Sequence, residues 1–394
     1  MQIHTALGGE RLSDIAKKYG VSEESIRRSN GLENGECLEG EELLILVPTR
    51  TYTARRGDSV DRISHRFGVR QSDIMAMNPL LRGGEVRCGQ EITLRSSERP
   101  FGMSVANGYF YNGCPTSRLR MMLPYLTYVT VAEYAADESG IRRIFDGGCA
   151  AEIARKNGKI PLVRVYDCYA ERYRSKEKRE QFGNELIERA YEGGYKGVVI
   201  NAAERGGCEG EFSEFIVEMR RKMIGLDLIL ITEINGDSPT SFSEFADGSV
   251  ISYQRLAHGG DTSFKEGESK TLADLACRSE SAKVFVDLPS LARCGDDFCS
   301  IDDAMRLARN FGAVIKKDDS TLVSSFDCGG GRCCRFCSPS SVLEILKLVS
   351  EYDYMGIALD VMRTPMSHVM MYNAMFKTAY YTSVRTREGC SREV

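Results

Sequence analysis

Seven oxygen-bearing side chains each follow a short apolar run: Asp167, Asn201, Glu204, Glu233, Tyr253, Asp287 and Asp360. Carboxylates and a phenol gathered at strand ends would line an acidic site, with groups able to give or take a proton. Asp and Asn also cap the helices that follow strands, so about four of the seven are expected to face one site. Glu204, Asn201 and Tyr253 are the candidate catalytic residues. Asp167, Glu233, Asp287 and Asp360 are the candidate substrate ligands, expected to converge in one cleft and raise one another's pKa. The four histidines form no Cys/His or Ser/His constellation. No Gly-rich phosphate loop follows a strand, and no cofactor is expected.

Cysteine is the other reactive residue, with 14 copies. Cys328, Cys333, Cys334 and Cys337 surround Gly329–Gly331 and read as a hairpin with Cys on both arms. Cys334 and Cys337 have zinc-ligand spacing, but a second such pair is missing, so no metal is assigned. Cys294 and Cys299 form another close pair. Two readings stay open, a mixture of buried and free thiols or cross-links formed after export.

These groups need a frame to hold them. Apolar runs at 103–106, 125–131, 161–166, 197–200, 227–231, 249–253, 283–288 and 356–360 alternate with amphipathic stretches such as 179–191, 211–223, 301–311 and 340–351. That alternation predicts an α/β fold, a (β/α)8 barrel, with a doubly wound open sheet as the alternative. In a barrel the chemistry sits at the C-terminal ends of the strands. With 42% hydrophobic and 27% charged residues the 394-residue chain is expected to fold in water. A net charge of -4 argues against nucleic acid as a partner. No apolar run approaches the roughly 18 residues that span a bilayer. MQIHTALGGE lacks the basic and apolar regions of a secretory leader, so synthesis in the cytoplasm is expected. The charge run Arg172 to Arg179 reads as a solvated face.

The first 95 residues repeat themselves with an offset of 48. Gly9-Glu10 matches Gly57-Asp58; Leu12, Ile15 and Tyr19 match Val60, Ile63 and Phe67; Gly20-Val21 matches Gly68-Val69; Asn30-Gly31-Leu32 matches Asn78-Pro79-Leu80. Each copy reads as strand, helix, helix, strand, the first helix ending at glycine. This β-α-α-β unit resembles the LysM module. The resemblance implies binding of N-acetylglucosamine-containing glycan, peptidoglycan in bacteria, between the first helix and the turn after the second. The corresponding residues are Gly9, Glu10, Leu12, Asn30 and Gly31 in the first copy, and Gly57, Asp58, Val60, Asn78 and Pro79 in the second. A scaffold for protein contacts is the alternative. The expected division is 1–49 and 50–96 for the modules and 97–394 for the barrel, with Ser96–Pro100 as linker.

The order of parts resembles spore-associated members of glycoside hydrolase family 18, which join LysM modules to a (β/α)8 barrel and act on spore cortex fragments. The segments Leu123 to Tyr128, Ile153 to Leu162, Gly193 to Ile200, Ser249 to Tyr253 and Tyr354 to Ile357 carry that resemblance. The family places D-x-x-D-x-D-x-E at the end of the fourth strand, where Glu is the acid and the preceding Asp orients the substrate acetamide. Here those four positions read Lys196, Val199, Asn201 and Ala203. The acid is lost, the acetamide-orienting residue is an amide, and the chain has no Trp to floor a sugar subsite. Glu204 follows Ala203 and points to the opposite face of a regular strand, although a β-bulge could turn it inward. The resemblance therefore implies a peptidoglycan-binding protein of the spore envelope or cell wall with an inactive barrel. The alternative is an N-acetylglucosaminidase acting on cortex peptidoglycan through Glu204. Spore coat proteins are the further expected partners.

Overall fold

The computed structural model describes residues 1–32, 35–79, 81, 85–96, 101–167, 169–202, 208–235, 245–252 and 283–379. Glu204, Tyr253, Ala203, Leu80 and the linker 97–100 lie outside the described residues.

Both copies of the repeat fold alike. The first runs through strand Gln2–Thr5, helices Leu12–Tyr19 and Glu23–Asn30, and strand Glu42–Ile45, with the two strands antiparallel. The second runs through strand Pro48–Thr53, helices Val60–Phe67 and Gln71–Met77, and strand Glu91–Ser96. The repeated apolar positions are the cores: Leu12, Ile15, Ile26 and Ile45 in one, Val60, Ile63, Ile74 and Leu94 in the other. Cores this small stabilise little on their own.

Eight parallel strands close into a barrel. They are β1 (Gly102–Phe110), β2 (Tyr128–Asp137), β3 (Ile160–Asp167), β4 (Gly197–Ala202), β5 (Ile229–Asn235), β6 (Gly248–Ser252), β7 (Val284–Asp287) and β8 (Gly356–Asp360). Each pairs with its neighbours in chain order, and β1 pairs with both β2 and β8. Strands buried on both faces read as continuous apolar runs, which is why the sequence located them. At Gly197 a Cβ would stand 2.3 Å from the Ile229 carbonyl oxygen, so this strand entry accepts no side chain. Val105, Leu162, Val199, Ile231, Phe285 and Ala358 fill the interior, making it a packed core and not a pore. Among the described residues no helix is long and apolar enough to cross a membrane.

Between β7 and β8 the chain inserts a five-stranded antiparallel sheet. Helix Ile301–Phe311 covers it, packing Ile301, Ala304 and Ala308 against Ala292, Phe326 and Phe336. The sequence pointed to that helix and to the hairpin Val323–Asp327 with Cys333–Cys337, but not to the sheet that joins them.

Helix Met366–Met375 is buried on nearly every side. It packs against Glu23–Asn30 of the first module, Gln71–Met77 of the second, and the barrel helix Pro339–Glu351. A helix that is apolar all round belongs in an interior, and its four methionines adapt to several neighbours at once. The two modules are therefore seated on the barrel and share its core.

Candidate functional site

Side chains alternate along a strand, so every second residue faces the barrel axis. Leu162 and Val199 lie in the interior cluster, which places Arg164 on β3 and Asn201 on β4 inward above them. Ile231 and Phe285 place Glu233 and Asp287 inward in the same way. Glu233 lies level with Asn201 in the β4–β5 register.

The centre of the mouth is one ion pair. Arg164 holds Glu233 with a fork of two bonds, Nε to Oε1 and Nη2 to Oε2, each 2.7 Å. The Asn201 amide donates to the same Oε2. The rings of Tyr109 and Tyr166 each stand 5.9 Å from the guanidinium carbon, within cation–π range. Burial pushes the Glu233 carboxyl up, but Arg164, with the hydrogen bonds of Asn201 and Tyr109, holds it below the usual carboxylate range. Burial, then the Glu233 charge, pushes the Tyr109 phenol well up.

The four acids expected in one cleft do not converge. Glu233 and Asp287 face the interior, and both act on Tyr109. Asp360 lies at the rim, where both oxygens meet the Tyr111 hydroxyl at 3.1 Å and Oδ1 accepts from the backbone of Met362 and Arg363. It caps the turn after β8 as well as lining the mouth. Asp167 points the other way. Leu162 and Arg164 take the inward positions, so Asp167 falls on the helix side, where Tyr173, Arg172 and the Tyr169 amide bind it. Burial raises its pKa, not crowding by other acids. Arg172, read as solvated, is 6% exposed. Arg164, Tyr109 and Tyr111 were missed as site residues. The available signal was one cation inside the apolar run 161–166, in phase with Leu162.

In the repeat, the motif residues hold the modules together. Glu10 accepts from the Leu7 amide and His4, each at 2.9 Å. Asp58 accepts from the Arg55 amide at 2.8 Å and Tyr52 at 2.6 Å. Asn30 ties the end of its helix to the closing strand through the Ile26 and Leu44 carbonyls and the Leu44 amide. Asn78 does the same with Ile74 and both backbone groups of Thr93. Leu12, Val60 and Pro79 are buried, while Gly9 and Gly57 are exposed and Gly31 caps its helix. Leu7, 69% exposed beside Gly9, is the apolar side chain open to a ligand there.

The two cysteine groups meet in the inserted sheet. Cys294 and Cys334 are cross-strand neighbours joined by a disulfide, and the Cys299 sulfur lies 3.8 Å from that of Cys294. Among the described residues no three His, Cys, Asp or Glu side chains form a metal-binding group.

The LysM domain family model matches residues 8–43 and 52–95. The N-terminal repeat is a pair of LysM domains. The chain is 31% identical over 93 residues to the N-acetylmuramoyl-L-alanine amidase sle1 of Staphylococcus epidermidis, covering 20% of this chain and 29% of that protein. The sporulation-specific YdhD of Bacillus subtilis is 23% identical over 235 residues, 57% of this chain and 56% of its own length. The chain thus spans just over half of the one relative and under a third of the other. The whole arrangement matches the spore cortex-lytic enzyme SleL of Bacillus megaterium with a TM-score of 0.73 at 16% identity, over 96% of this chain and 98% of that one. A chitinase from Chromobacterium violaceum matches with a TM-score of 0.63 at 17% identity, over 69% of this chain and 98% of its own. The chain combines two LysM domains with a chitinase-type barrel fold.

Proposed function

We propose that this chain binds peptidoglycan of the spore envelope or cell wall through its LysM domains, and that its barrel does not hydrolyse the glycan. The binding half is supported by the two LysM matches and by relatives named for acting on cell wall or spore cortex. The observation that carries the other half is the Arg164–Glu233–Asn201 group on the barrel axis. A general acid must be protonated near neutral pH and within reach of the glycosidic oxygen. Glu233 is held ionised and both its oxygens are taken. The Asn201 amide is spent on Glu233, so it is not available to a substrate acetamide. Position 203, where family 18 carries the acid, is alanine.

Cosedimentation of the whole chain with purified peptidoglycan tests the binding half. The chain is expected in the pellet, and soluble N-acetylglucosamine oligomers should release it. A chain that stays in the supernatant at all salt concentrations contradicts the proposal.

A further inference from the structure

The first LysM domain is locked to the inserted subdomain and to the start of the barrel helix Pro339–Glu351 by several specific contacts. Glu42 accepts from Ser338 Oγ at 2.7 Å, Ser340 Oγ at 2.8 Å, the Ser340 amide at 2.9 Å and Lys317 Nζ at 3.0 Å. Gly40, at φ 81°, lies so close to the Ile315 carbonyl that a Cβ would stand 1.9 Å from its oxygen. The Ile315 amide donates to Glu39 O at 2.8 Å. This seating sets the turn Asn30–Leu32 of the domain opposite helix Ile301–Phe311. Between them lies a cleft of about 520 Å³, within the size range of small-molecule sites.

The walls of the cleft select for a neutral, hydroxyl-rich ligand. Its two cations are already paired, Arg309 with Glu41 and Arg306 with Asp303. An anion would find no free partner among them. Asp302 lines the cleft and makes no hydrogen bond or ion pair among the described residues. His368, 1% exposed, also lines it. Its Nδ1 lies 3.1 Å from the Pro289 carbonyl, which can only accept, so Nδ1 carries the proton and Nε2 is left as an acceptor. Leu32 and Met305 supply apolar surface for a ring face, and Asn310 an amide. Two acceptors, an amide and an apolar wall match the hydroxyls, acetamide and face of an N-acetylated hexose.

We infer that this cleft is a composite glycan subsite, in which an N-acetylhexosamine ring of a strand held by the first LysM domain is gripped between that domain and the inserted subdomain. The inference rests on the glycan-binding reading of the LysM domains. It adds that the barrel half contributes contacts of its own, pre-organised by the rigid seating.

The test is isothermal titration of the whole chain with N-acetylglucosamine tetramer. It compares wild type with Asp302→Ala, which removes an acceptor, and Asn310→Trp, which fills the cleft from an exposed helix position. Thermal melting should be the same in all three. Asp302→Ala should weaken binding about tenfold, and Asn310→Trp at least as much. Wild-type binding with both variants unchanged overturns the subsite and leaves the LysM reading standing. No binding by wild type overturns both.

Discussion

The LysM domains and the barrel mouth use the same residue types to opposite ends. In each LysM domain an acid and an asparagine bond to nearby backbone, and the exposed glycine turn beside them stays open. At the mouth an asparagine and an arginine both donate to one acid, and together they fill the axis. A carboxylate or amide in a motif position is therefore no measure of a working site; what matters is whether its hydrogen-bonding capacity is still available.

The contrast can be broken at its strongest point first. Arg164→Met leaves Glu233 buried without its partner and should cost about 3–5 kcal/mol in denaturant unfolding. Adding Glu233→Leu should return most of that loss, since replacing both charges by apolar groups is often neutral. Acid titration reads the same pair with a sign. In the wild type the folded pKa of Glu233 is depressed, so its stabilisation is complete above the usual carboxylate pKa and is lost as pH falls through the folded value. In Arg164→Met burial is opposed only by the hydrogen bonds of Asn201 and Tyr109; it should raise that pKa, and the variant should gain stability as pH falls. Parallel pH profiles for the two proteins would contradict the assignment.

His368 gives the next effect. Burial lowers its pKa from 6.5 to about 4. The unfolded chain then takes up the proton first, and about 3 kcal/mol of stability is lost as pH falls from 6.5 to 4. His368→Gln should flatten the profile in that window. An unchanged slope would mean that the ring is protonated in the fold.

Smaller effects compare the two LysM domains. Asn78 is 2% exposed and Asn30 is half-buried, yet they make equivalent bonds. Asn78→Ala should cost about 1–3 kcal/mol and Asn30→Ala somewhat less. Hydrogen exchange should place each loss in its own domain. Equal exchange in both domains for either variant would show that the domains unfold as one unit through helix Met366–Met375.

The sequence was most legible where one periodicity ruled. The repeat located both LysM cores, and the apolar runs located the eight strands because both faces of each are buried. The run 125–131 began too early, since Leu123–Tyr125 forms a 3-10 turn before β2. The inserted sheet was hidden because its strands are two to five residues long, half polar, and pair across stretches such as Cys294 to Cys334. In the mouth, strand phase turns Asn201, Glu233 and Asp287 inward. Counting strand ends without strand phase put Asp167 there as well. The partner of Arg164 could not be read, because Glu233 lies 69 positions away and two strands across the barrel.

The central claim is that the barrel holds no available acid while the LysM domains bind the glycan. Release of reducing ends from purified cortex peptidoglycan by the intact chain tests it most directly. The account predicts no release above a protein-free control from glycan that nevertheless carries the chain into the pellet. Steady release that disappears in Glu204→Gln would contradict it and make Glu204 the acid.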